Sequence, residues 1–392
     1  MRLLHTSDWH LGRSFHRMSL LEAQRAVLDH LVTTVVERQV DAVLVAGDVY
    51  DRAVPPLSAV DLFDEALHRL AELEVPVVII SGNHDSPRRL GVGSGPLGKA
   101  GIHLRTTPES CGTPVLLPDR SGGGGDVACY GLPYLEPALA RAALGAPRGG
   151  HQAVLTAAMR RVRADLAARP EGTRSVVLAH AFVTGGESSA SERDITAGGV
   201  ASVPVSVFDG VDYAALGHLH GAQALTERVR YSGSPLAYSF SESRHRKSHW
   251  LVDLDARGAV TAERVDCPVP RRLARLSGTL EELLEDPRFA PYTESWVEAT
   301  LTDTARPYEP MARLEKRFPH VVSIVFDPAE DTEGGPGSYA RRLRGRTDQQ
   351  IAEDFVAHVR TGRDADDAER ALLGEALDAV RVAAAETEGA GR

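Results

Sequence analysis

Ala42-Val43-Leu44-Val45-Ala46-Gly47-Asp48-Val49-Tyr50-Asp51 sets a five-residue apolar run directly against a glycine and a carboxylate. Short apolar runs bounded by glycine or a polar residue read as buried strands. The stretch therefore predicts a strand that delivers Asp48 at its carboxyl end. The same construction recurs on both sides. Leu3-Leu4 leads into Ser7-Asp8-Trp9-His10-Leu11-Gly12, and Val77-Val78-Ile79-Ile80 into Gly82-Asn83-His84-Asp85. Val176-Val177-Leu178-Ala179 ends on His180, and Tyr213-Ala214-Ala215-Leu216 leads into Gly217-His218-Leu219-His220. Residues at the carboxyl ends of neighbouring strands meet at one edge of an α/β sheet, the edge where such sheets bind their ligands.

Asp oxygens, imidazole nitrogens and an Asn carbonyl make a mixed nitrogen and oxygen donor set. Such a set suits manganese, iron or zinc and is not a thiolate site. Asp8, His10, Asp48, Asn83, His180, His218 and His220 are too many ligands for one ion. They suit two ions sharing a carboxylate, roughly 3.5–4 Å apart, an arrangement used in phosphoester hydrolysis. The other histidines, such as His5, His30 and His249, are assigned no metal role. Asp51 reads equally as an acceptor behind the ligands or as a turn residue.

The ordered set D-x-H, G-D-x-x-D, G-N-H-D, a lone His and G-H-x-H resembles the signature of the calcineurin-like metallophosphoesterases. Flanking residues are similar to the SbcD nucleases, partners of the SbcC ATPases. These are Met1 to Arg13, Gly47 to Arg52, Gly82 to Ser86, and Tyr231-Ser232-Gly233-Ser234-Pro235-Leu236. The resemblance covers about two thirds of the chain well. It implies an α/β fold, a two-sheet metallophosphoesterase sandwich flanked by helices, with a small α/β capping domain and a C-terminal helical segment that binds the coiled-coil base of the ATPase. It implies one ion on Asp8, His10 and His220, a second on Asn83, His180 and His218, and Asp48 between them, manganese being the preferred ion. His84 is implied to act on the transition state or the leaving oxygen. Asp85 either orients its ring, as carboxylate–His pairs do, or caps a turn. The implied reaction is hydrolysis of DNA phosphodiesters by a metal-activated water. Duplex ends are cut as a 3'-5' exonuclease, and single strands and hairpins as an endonuclease, in repair, recombination and replication. A homodimer within a heterotetramer with the ATPase is implied. Asp51 stands where archaeal and eukaryotic relatives carry a histidine, so no DNA-positioning role is carried to it. The rival readings are a phosphoesterase for small phosphomonoesters or cyclic nucleotides, and a non-enzymatic scaffold. The intact ligand set argues against the scaffold, and two additional domains argue against a small substrate.

Composition bounds these expectations. A chain of 392 residues with 43% hydrophobic residues is long enough for a large core and more than one domain. No run approaches the ~20 apolar residues of a membrane span, and the polar His5-Thr6-Ser7-Asp8 leaves no room for a secretory signal. Cys111, Cys129 and Cys267 are an odd, widely spaced set, expected as thiols in a reducing compartment. The expected location is cytoplasmic, at the nucleoid. A net charge of −10 argues against a broad nucleic-acid surface, so phosphate contacts must be local. Arg13, Arg88 and Arg89 follow metal motifs and read as phosphate contacts or as solvated arginines. Arg244-His245-Arg246-Lys247 reads as a charged hairpin tip, with DNA contact the second reading.

Periodicity and composition divide the chain into residues 1–265, residues 266–332, a linker (333–347) and a helical segment (348–392), which the resemblance implies are a nuclease domain, a capping domain and, after the linker, a segment that binds the ATPase. In the first, Leu21 to Arg38, Ser58 to Leu73 and Gln152 to Ala168 read as helices, and Asp126 to Leu132 as a strand. Ser121 to Gly125 is a glycine-rich loop without the lysine of a phosphate loop. Arg228 to Tyr231 and Ser248 to Leu254 are both expected in the second sheet. The capping domain reads as strand, helix, strand, helix, strand. The last helices, Gln349 to Val359 and Ala368 to Val382, carry Phe355, Val359, Leu372, Leu373 and Leu377 on apolar faces.

Overall fold

The computed structural model describes residues 1–119, 125–147, 149–192, 202–328, 346–359 and 364–389. The chain divides into two compact units, Met1–Thr300 with Glu309–Val325, and Leu301–Tyr308 with Phe326–Arg392.

The strands among the described residues are β1 (Arg2–Thr6), β2 (Ser14–Phe15), β3 (Met18–Ser19), β4 (Ala42–Ala46), β5 (Val77–Ile80), β6 (Ile102–Arg105), β7 (Val115–Leu117), β8 (Val127–Leu132), β9 (Arg174–His180), β10 (Tyr213–Gly217), β11 (Gln223–Ala224), β12 (Val229–Tyr231), β13 (Ser248–Leu254), β14 (Val260–Asp266), β15 (Leu273–Gly278), β16 (Trp296–Leu301) and β17 (Val321–Phe326). They form two six-stranded sheets, in the orders β14-β13-β1-β4-β5-β6 and β11-β12-β10-β9-β8-β7. The smaller β15-β16-β17 sheet has helices at Leu280–Glu285 and Pro310–Leu314 between its strands. This is the expected strand, helix, strand, helix, strand order.

Period-two alternation explains why the two large sheets stack. In β4, Ala42, Leu44 and Ala46 join Leu3, Val78, Ile80, Val176, Leu178 and Ala215 in the core between the sheets. Val43 and Val45 face the other way, onto Leu28, Leu31, Leu62 and Phe63 of the helices Leu21–Glu37 and Leu57–Glu72. The second sheet likewise turns Val177, Ala179, Ala214 and Leu216 toward the helix His151–Ala167, through Val154, Ala158 and Val162. The boundaries of these three helices fall within a residue of those read from periodicity, as their buried positions recur at spacings of three and four, whereas the last helix of the chain, expected to end at Val382, runs on to Gly389.

One strand lies elsewhere than expected. β13 pairs antiparallel with β1, Trp250 opposite His5 and Leu251 opposite Leu4, so it belongs to the first sheet. β12 is in the second sheet as expected, parallel to β10. The physical reason is that Trp250, Val252 and Leu254 line the core that both sheets share. Alternation identifies the buried face of such a strand, whereas the pairing partner is chosen by the chain path from β12.

The second unit contains the helices Asp348–Val359 and Asp367–Gly389, which pack on each other. Each begins on a reciprocal cap. Thr347 Oγ1 accepts from the Gln350 amide at 3.3 Å while Gln350 Oε1 accepts from the Thr347 amide at 3.0 Å. Asp366 and Glu369 repeat the pattern at 2.9 and 3.0 Å. Phe355 and Leu372 are 57% and 65% exposed, while Leu373 and Leu377 are half-buried. The Val359 side chain, residues 121–124 of the glycine run and residues 333–345 of the expected linker lie outside the described residues. No helix among the described residues is long and apolar enough to cross a membrane. Cys111, Cys129 and Cys267 are all free and buried, and burial pushes each thiol upward.

Candidate metal centre

Each of the five motifs follows its strand, β1, β4, β5, β9 and β10, at the same end of the stacked sheets. The loops after β1 and β4 are tied together, the Asp8 amide donating to the Gly47 carbonyl and the His10 amide to the Asp48 carbonyl, each at 3.0 Å. Asp8, His10, Asp48 and His218 all have positive φ, at 53°, 44°, 49° and 108°. Non-glycine residues rarely adopt such values, and they persist where surrounding structure holds them. Glycines permit the close approach of the two sheets. A Cβ on Gly217 would lie 2.0 Å from the Ala46 carbonyl oxygen, and one on Gly47 would lie 2.4 Å from His180 Nδ1. Gly217→Ala is therefore expected to destabilise the fold by about 1–3 kcal/mol, the range for overpacking. Urea unfolding measures this, and unchanged stability would show that the sheets can part freely.

The seven expected ligands converge. His10 Nε2 lies 3.1 Å from His220 Nε2 and 3.7 Å from Asp48 Oδ2. His180 Nε2 lies 3.5 Å from Asp48 Oδ2 and 2.9 Å from Asn83 Oδ1, and His218 Nδ1 is 3.1 Å from that same oxygen. Asp8 accepts the His218 amide on both oxygens, at 3.1 and 3.2 Å. Candidate ligand atoms of Asp8, His10 and His220 all fall within 4.8 Å of one another, as do those of Asp8, Asp48 and His180, and those of His10, Asp48 and His84. Asp8, His10, Asp48, His180, His218 and His220 are all buried.

The donor atoms fit cations. A carbonyl only accepts, so His180 Nδ1, 2.9 Å from the Ala46 oxygen, carries the hydrogen. Its Nε2 lone pair then faces Asn83 Oδ1 and Asp48 Oδ2. His220 Nδ1 faces the Glu242 carboxylate at 3.1 Å, which turns the Nε2 lone pair of His220 on His10. Electron-rich atoms this close, and out of water, need a proton or a cation among them. The electrostatics carry the same message. Burial, together with the Asp48 charge, pushes the Asp8 carboxyl up to about 6. Burial disfavours His180 as a cation, yet Asp48 and Asp8 outweigh it and raise the ring to about 9. Asp48 is also opposed by burial and is nevertheless held well below the usual range by His180. The site draws positive charge in.

Two expected residues behave differently from each other. His84 is buried, and its Nδ1–H donates to the Asp51 carbonyl at 2.7 Å. The Asp85 carboxylate instead accepts backbone amides from Val49 (3.1 Å), Tyr50 (2.9 Å) and Gly82 (2.9 Å). It clamps the β4 and β5 loops together, and the backbone of Asp51, not the side chain of Asp85, meets the His84 ring nitrogen. Burial and the neighbouring Asp48 charge push Asp85 up to about 7 despite those three donors. The Asp51 carboxylate lies 3.8 Å from His10 Nδ1 and 3.7 Å from Arg13 Nη1.

Of the basic residues, Arg13 lies over the Tyr238 ring and donates to the Ser191 carbonyl at 3.1 Å. Arg88 is exposed, and Arg89 donates to the Ala53 carbonyl at 2.8 Å. Lys247 departs from its expected place at a charged tip. It is 6% exposed and donates to Glu242, to the His220 carbonyl and to Ser234 Oγ. Arg246 pairs with Asp266, and Arg244 is exposed. Glu242, Lys247, Ser191 and Tyr238 were not legible as site residues, since none has a motif spacing or follows an apolar run. Burial opposes ionisation of Glu242, but Lys247 and His220 overcome it and hold the carboxyl below the usual range.

Residues 1–222 match the family of calcineurin-like phosphoesterases. Residues 269–360 match the type 5 capsule protein repressor C-terminal domain, the C-terminal domain of SbcD. Among solved structures, TT1561 of Thermus thermophilus is 13% identical, over 67% of this chain and 98% of that one, with a TM-score of 0.39. With the first match spanning more than half of its length, the chain belongs to the calcineurin-like phosphoesterases, hydrolases that use divalent metal ions, and it is of the SbcD type.

Proposed function

We propose that the protein is the nuclease subunit of an SbcC–SbcD-type complex, a manganese-dependent DNA phosphodiesterase that acts on duplex ends as a 3'-5' exonuclease and on single strands and hairpins as an endonuclease. The observation that carries this is one cluster of seven nitrogen and oxygen donors, six of them buried, in a chain that also matches the SbcD C-terminal domain. In this reading Asp8, His10 and His220 hold one ion, Asn83, His180 and His218 the other, and Asp48 lies between them. When bound, two such ions supply Lewis acidity toward a phosphoryl oxygen and lower the pKa of a bound water. The chain's own groups do the remainder. The Ala46 carbonyl fixes the His180 tautomer, so that Nε2 faces the cluster. The Asp51 carbonyl fixes the His84 ring through Nδ1, and in this reading Nε2 is the atom that donates to a substrate oxygen when the ring is charged. The Asp85 clamp keeps the loops that bear Asp48 and His84 in register.

The test is cleavage of end-labelled duplex DNA by the full chain with its ATPase partner, with and without manganese, beside a small chromogenic diester. Manganese-dependent degradation of the duplex is expected. Turnover of the small diester with no action on DNA ends would overturn the nuclease reading and favour a small phosphoester substrate.

The exposed Phe355 and Leu372 support a partner surface on the C-terminal helices. The reading places the base of the ATPase coiled coil there and a second copy of the chain on the catalytic domain. Truncation after residue 345 is expected to leave manganese-dependent nuclease activity and to remove co-purification with the ATPase. Undiminished pull-down by the truncated chain, or its precipitation, would return those helices to the fold.

A further inference from the structure

His180 and His220, assigned above to different ions, are held from behind by different groups. His180 Nδ1 donates to a neutral carbonyl, that of Ala46. His220 Nδ1 faces Glu242 Oε1 at 3.1 Å and Ser191 Oγ at 2.6 Å, and Ser191 Oγ itself donates to Glu242 Oε1. Glu242 is 1% exposed. Its second oxygen accepts from Lys247 Nζ and from the Tyr238 amide. Lys247 uses its three hydrogens on Glu242, Ser234 Oγ and the His220 carbonyl, the last two at 2.9 Å. The pair therefore grips His220 twice, at the backbone through the lysine and at the ring through the carboxylate.

An apolar pair of similar volume would serve folding as well as a buried ion pair, so its place behind a ligand histidine calls for another reason. A carboxylate on the far nitrogen of a ligating imidazole fixes the ring and raises its basicity as a ligand. A neutral carbonyl fixes the tautomer and adds less electron density. We propose that Glu242, locked by Lys247, is the positioning carboxylate of His220 and makes the two cation sites unequal, so that the ion on Asp8, His10 and His220 is the one that depends on it. The proposal rests on the two-ion reading above.

The experiment is calorimetric titration of the metal-stripped full-length chain with manganese chloride. Glu242→Gln keeps the shape and removes the charge. The double variant Glu242→Gln/Lys247→Met removes both charges, so that neither is left buried without its partner. Circular dichroism checks the fold of each. Two binding events are expected in the unsubstituted chain. In the variants one event should weaken about 10- to 100-fold, the range for loss of such outer partners, with the other unchanged. The weakened event should be the one that Asp8→Ala removes. A folded double variant that binds both ions as before would make the pair structural only, and equal weakening of both events would refute the inequality. Uptake of fewer than two ions by the unsubstituted chain would instead bring down the two-ion reading itself.

Discussion

Asp48→Asn is expected to abolish cleavage and to release metal, with a loss well beyond the roughly 100-fold that marks removal of an outer partner. The carboxylate lies 3.7 Å from His10 Nε2 and 3.5 Å from His180 Nε2, between the two groups of donors. A neutral amide holds two cations far less well than an anion does. Asn keeps the volume and retains a carbonyl oxygen to accept the His84 amide, which Asp48 Oδ1 accepts at 2.8 Å. Folding should therefore survive. Nuclease activity and metal content are measured on the same preparation. Full activity with both ions bound would refute the bridging role.

His84→Ala is expected to lower turnover by about 10²–10⁴-fold, the usual weight of a general acid or base, while DNA binding and metal content persist. The Asp51 carbonyl engages Nδ1 and fixes the orientation of the ring. Nevertheless, His84 shares a possible cation group with His10 and Asp48. Metal analysis separates the two roles. Loss of an ion in the variant would make His84 a ligand and end its assignment to the transition state.

Several parts of this protein were legible in the sequence because they depend on local pattern. The apolar runs that end at Asp48, His180 and Gly217 are strands because their alternation suits a sheet buried on both faces, β4 turning Leu44 to one side and Val45 to the other. Residues placed just after parallel strands share an edge by geometry, which is why the seven candidate donors are recognisable together in the sequence. The helices on the outer faces followed from spacings of three and four. Other features depend on long-range contacts that carry no local mark. The pairing of β13 with β1 joins residues about 250 positions apart, and alternation is the same whichever sheet a strand joins. Asp85 reads in the sequence as a partner of the adjacent His84 ring or as a turn cap, whereas the fold brings the Val49 and Tyr50 amides to it from another loop. Lys247 looked like one more charge in a basic turn, and only the buried Glu242 and the His220 carbonyl explain its place. The sequence by itself determined the sheet edge and the donor atoms, because strand period and ligand chemistry are local. Tertiary structure alone decided which backbone and side-chain groups hold each histidine from behind, because those hydrogen bonds arise from the docking of distant loops.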